Sequence, residues 1–97
     1  MFRKKVQELE LPPVARENPR AVEVLRVWAV PGEPQELVLK TTWKDPGAWG
    51  LVLVDIARHA SKAYANEGRD QSEVIARIRQ SFEAEFSNPT DEPVQLS

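Results

Sequence analysis

Residues 21–30 read Ala-Val-Glu-Val-Leu-Arg-Val-Trp-Ala-Val, a stretch that is apolar on both faces of any strand it forms. Val22, Val24, Trp28 and Val30 point one way, and Leu25, Val27 and Ala29 point the other. Its β-branched and aromatic content favours a strand. Such a strand needs cover on two sides, and this requirement limits every fold open to the chain. The segment 31–35, Pro-Gly-Glu-Pro-Gln, reads as a turn. Residues 36–43 then alternate, with Leu37, Leu39, Thr41 and Trp43 on one face and Glu36, Val38, Lys40 and Thr42 on the other. The short connection predicts an antiparallel β-hairpin.

Asp45-Pro46 marks a helix start, since Asp favours the N-cap and Pro the first helical position. Trp49, Val52, Leu53, Ile56, Ala57, Ala60, Ala63 and Tyr64 then recur at three- and four-residue spacing and share one helical face. Gly68 supplies a left-handed cap. Asp70-Gln-Ser-Glu73 fits an acidic capping box and opens a second helix, whose stripe is Val74, Ile75, Ile78, Phe82 and Phe86. The predicted class is α+β: an antiparallel β-hairpin followed by two α-helices, with the helices packed on one face of the sheet.

The ends of the chain read differently. Residues 1–20 hold Pro12, Pro13 and Pro19 among charges of alternating sign and are expected to form an extended arm. Residues 88–97 are acidic, contain Pro89 and Pro93, and are expected to be a disordered tail. This leaves residues 21–87 as a single domain. A 97-residue, 11.0 kDa chain buries about two thirds of its unfolded surface. A lone two-stranded sheet is marginal in water. Two helices cover one face of it, and Leu51 and Val54 lie off the main stripe of the first helix. The excess of apolar surface predicts a homodimer, with the arm as the alternative cover.

Composition narrows the chemistry. There is no cysteine, and His59 is the single histidine, so thiol chemistry and a multi-histidine metal site are excluded. No metal or other cofactor is expected. A net charge of -2 argues against nucleic acid as a partner. The longest apolar run, residues 51–54, is too short to span a membrane. Glu8 and Glu10 interrupt the region that would follow a positively charged export-signal start. A cytoplasmic location is expected.

Several stretches carry a resemblance. Arg20-Ala-Val-Glu-Val-Leu-Arg-Val-Trp-Ala29, Thr41-Thr-Trp-Lys-Asp-Pro-Gly-Ala-Trp-Gly50, Val54-Asp-Ile-Ala-Arg-His-Ala60 and Pro89-Thr-Asp-Glu-Pro93 resemble an uncharacterised family of short bacterial proteins, domain of unknown function 5076. The likeness covers most of residues 18–93. It implies a free-standing bacterial domain and assigns no activity, ligand or catalytic residue.

The candidate ligand or interface residues are Trp28, Trp43, Lys44, Asp45, Trp49, Asp55 and His59. Lys44 at a helix N-terminus suits an anion, but the Asp45 carboxylate competes for the same donors. Gly47 and Gly50 each cost a helix about 1 kcal/mol relative to Ala, which suggests close approach of another backbone or of a ligand. Asp55 and His59 are four residues apart, as for a surface ion pair or an oriented imidazole. Three tryptophans invite a stacking platform, though core or interface burial accounts for them more simply. No nucleophile–base string accompanies these residues, and no catalytic residue is assigned. The expected function is therefore a non-enzymatic interaction or regulatory module. The alternative is a small-molecule binding protein or minor enzyme with its site near Trp43, Trp49, Asp55 and His59.

Overall fold

The computed structural model describes residues 6–90, together with the backbone of 94 and 95. Six elements follow one another: α1 (Pro13–Glu17), β1 (Leu25–Trp28), β2 (Glu36–Leu39), α2 (Gly47–Asn66), α3 (Gln71–Ser87) and β3 (Val94–Gln95). The class is α+β, with the expected hairpin followed by two helices.

Local signals set the helix ends. Pro46 has helical dihedrals, and the Asp45 carboxylate accepts the Gly47 N–H at 2.9 Å, so the acidic residue satisfies a donor at the helix start. At the other end Gly68 has φ 99°. The Gly68 N–H donates to the Ala65 carbonyl at 3.0 Å and the Arg69 N–H to that of Tyr64 at 3.1 Å. These two bonds make a Schellman cap. Asp70 then caps α3 by accepting the Glu73 N–H at 3.1 Å. The connection between the helices is short, as an αα-hairpin requires.

Antiparallel pairing of β1 and β2 sets Leu25 opposite Leu39 and Val27 opposite Leu37. Those four apolar side chains therefore share one face. Arg26, Trp28, Glu36 and Val38 share the other, which is mixed in polarity. Both strands are shorter than residues 21–30 and 36–43 suggest. The alternation in the second ends because Thr42 takes φ 57°, with the Trp43 N–H donating to the Thr41 carbonyl. This is a γ-turn of the rare strained kind, and it swings the chain out of the sheet toward α2.

Three expectations need correction. The helices do not pack on the sheet: α2 lies against α3 and β1 against β2, and neither helix lies against either strand. The arm is not wholly extended, because Pro13 opens the short α1 at its first position, where its missing N–H costs nothing. The C-terminal segment is not wholly a free tail, because Val94 and Gln95 run parallel to β2 opposite Glu36 and Leu37. The sheet order is thus β1-β2-β3.

Burial is correspondingly sparse. Among the described residues only Val74, at 5% exposed, is a buried apolar side chain. Ser61 is 1% exposed at the α2–α3 crossing, where its hydroxyl satisfies itself on the Ala57 carbonyl at 2.8 Å. The accessible surface is 9272 Å², against about 5,600 Å² for a compact chain of this mass. The radius of gyration is 15.9 Å, where about 12.5 Å is usual for this length.

Candidate functional site

The residues singled out in the sequence fall into three separate places. Trp43 and Trp49 meet edge to face, their ring centroids 5.4 Å apart at 76°. The Trp49 indole N–H also donates to the Thr41 carbonyl at 3.2 Å. The pair therefore braces the strained turn against the first turn of α2. Lys44 and Asp45 sit exposed between the two rings in sequence. The Asp45 carboxylate already occupies the Gly47 N–H, so a donor that would serve an anion there is spent.

Asp55 and His59 lie further along α2. Ten residues separate Trp49 from His59, or about 15 Å of helix, so the expected four-residue cluster does not come together. The His59 ring also makes a different bond from the expected ion pair. Its Nδ1 lies 2.8 Å from the Asp55 main-chain carbonyl. A carbonyl only accepts, so Nδ1–H is the donor in this bond. The Asp55 carboxylate takes no part in orienting the imidazole. The two residues open onto a shallow recess with Arg58, Lys62 and Ser72. Among the described residues no group of three His, Cys, Asp or Glu could hold a metal ion.

Trp28 is in the third place, at the end of β1. It lines a crevice between the strand and residues 6–12 of the arm. Arg26 holds the arm there, reaching Glu8 at 3.3 Å and Glu23 at 2.9 Å. Both ion pairs are exposed and contribute little, about 0–1 kcal/mol each. The alternating charges of the arm were the available signal for this contact.

Another apolar surface lies on the helices. Along the N-terminal half of α2 and the middle of α3, a groove of about 400 Å³ is lined by Leu53, Val54, Ala57, Ile75, Ile78 and Phe82, together with the charged Arg58, Arg79 and Glu83. Phe82 is 49% exposed and stacks on Phe86 at 5.7 Å. Gly50 also lines the groove, and a Cβ built there meets nothing within 4 Å. The close neighbour expected of Gly50 is therefore absent within one chain. Gly47 differs, since a Cβ there would stand 3.1 Å from the capping Asp45 oxygen.

These features define a small α+β chain with two separate apolar surfaces and a shallow polar recess around Asp55 and His59. The chain belongs to the family described as a domain of unknown function (DUF5076), whose model matches residues 8–90. It is also similar to a solved structure described as "a putative pyruvate dehydrogenase from the photosynthetic bacterium Rhodopseudomonas palustrus CGA009". The two share 38% identity over 98% of each chain, with a TM-score of 0.79. No curated protein matches the chain. No helix among the described residues is long and apolar enough to cross a membrane.

Proposed function

We propose that this protein is a non-enzymatic interaction or regulatory module that acts as a homodimer in the cytoplasm. One observation carries the reading. The chain exposes roughly 3,700 Å² more than a compact protein of its mass, 9272 Å² against about 5,600 Å². Part of this surplus belongs to the arm. Outside the arm, Val27, Leu51, Leu53, Val54, Phe82 and Phe86 are each between 46% and 80% exposed. Stable homodimers bury on the order of 2,000 Å² or more and draw on apolar side chains of this kind. Light scattering on a sizing column at tens of micromolar should give twice 11.0 kDa. A mass of one chain would refute the reading.

The name of the solved neighbour suggests oxidation of a 2-oxo acid. We do not carry that activity to this chain. In this chain the imidazole hydrogen-bonds its own helix backbone, and Trp49 is about 15 Å away along α2. Pyruvate at millimolar concentration is accordingly expected to leave the thermal midpoint unchanged. A rise of several degrees that His59→Ala abolishes would restore the small-molecule alternative.

A further inference from the structure

The geometry points to a particular dimer, in which the Leu25/Val27/Leu37/Leu39 face of each chain's sheet docks on the α2–α3 groove of the other. This inference rests on the homodimer reading and specifies its surfaces and its partner, a second copy of this chain.

The two surfaces are complementary in kind and are not used on each other within the chain. The sheet face sets Val27, 52% exposed, beside Leu25, Leu37 and Leu39, which are partly covered. The groove presents Leu53, Val54, Ile78 and Phe82. A β-hairpin followed by two helices ordinarily hides both by folding the helices back on the sheet. Here no strand of the hairpin lies against either helix.

The connection explains why. Only seven residues, 40–46, separate β2 from α2. Thr42 turns within them at φ 57°, a conformation that a β-branched residue avoids. Trp43 against Trp49, and the Trp49 indole bond to Thr41, then fix the turn to the helix. A short, strained, braced hinge is the condition under which an element docks on a second copy instead of its own chain.

Gly50 adds an independent sign. It weakens α2 and has open space where a side chain would stand. Among the described residues nothing uses that space. The partner's strands, approaching the groove, would.

Reciprocal docking predicts an unusual complementation. In a two-fold dimer of this type each contact joins one sheet to one groove, and there are two such contacts. Val27→Glu spoils the sheet face and Val54→Lys spoils the groove, and both positions are about half exposed, 52% and 50%. Each variant alone is expected to run at half the wild-type mass. An equimolar mixture is expected to recover the dimer, because one contact is then wild type and the other sets Glu against Lys. A mixture that stays monomeric, or a Val27→Glu protein that still dimerises, overturns the docking mode while leaving the homodimer intact. A monomeric wild type overturns the homodimer itself.

A second measurement removes dependence on how well these variants fold. The chain has no cysteine, so Val27→Cys/Val54→Cys carries the only two thiols. Mild oxidation should link two chains in a non-reducing gel, and neither single-cysteine variant should do so to a comparable degree. Linking by Val54→Cys alone would indicate a groove-to-groove dimer and overturn the proposal. So would a double variant that closes a disulfide within one chain or forms none.

Discussion

The α2–α3 hairpin and the β1–β2 hairpin are both joined by short connections, yet one makes its own core and the other does not. In the helical pair Ser61 and Val74 are buried and both ends of the connection are capped. In the strand pair no side chain is buried, and the most apolar face has no helix over it. The difference follows from where each element finds its hydrogen bonds and its cover. A helix satisfies its backbone internally and needs one neighbour along one stripe. A strand needs ladder partners at its edges and cover on its faces, and a chain with four-residue strands cannot supply all of these. The helical half therefore buries part of its stripe without help, and the sheet half buries no side chain at all.

The largest test of that contrast is Ser61→Leu. Overpacking this fully buried position of α2 should cost about 3 kcal/mol and unfold the helical half, seen as a loss of far-UV helical signal on heating. Trimming the same core with Val74→Ala should cost about 2 kcal/mol in urea titration. If both changes were nearly silent, the helical pair would not be the stable half. Asp70→Ala removes the α3 cap and should cost about 1 kcal/mol by the same measurement. Glu83→Ala breaks the exposed pair with Arg79, 3.0 Å long, and should cost at most about 0.5 kcal/mol. A larger loss there would show that the outer face of α3 is not simply solvated.

The same contrast explains what could be read from the sequence. Asp45, Gly68 and Asp70 mark helix ends within one or two residues, because caps act on backbone groups a few positions away. The hairpin partners were legible from alternation, but the length of β2 was not. Thr41 and Trp43 continue the pattern on paper, and Thr42 breaks it by a backbone turn that a threonine does not advertise. The packing of helices on the sheet was expected because an amphipathic stripe announces that it will be covered. It does not announce by what. The Asp55–His59 pairing failed for a related reason: four-residue spacing brings the two residues together, but the imidazole can choose a carbonyl over the carboxylate. Similarly Glu73 and Arg77 have the spacing of an ion pair, but the Arg77 guanidinium donates to Gln80 at 3.1 Å.

The turn at Thr42 also bears on how far assembly can go. A sheet on one chain that docks on a groove of another can close reciprocally into a two-fold dimer or, at a different angle, run head to tail into a filament. The angle between sheet and helices decides between these outcomes, and the γ-turn braced by Trp43 and Trp49 sets that angle. In the docking proposed above, Thr42 would therefore limit polymerisation as well as bend the chain. Loosening it with Thr42→Gly would relieve about 1 kcal/mol of backbone strain, and would turn one discrete particle into a ladder of sizes.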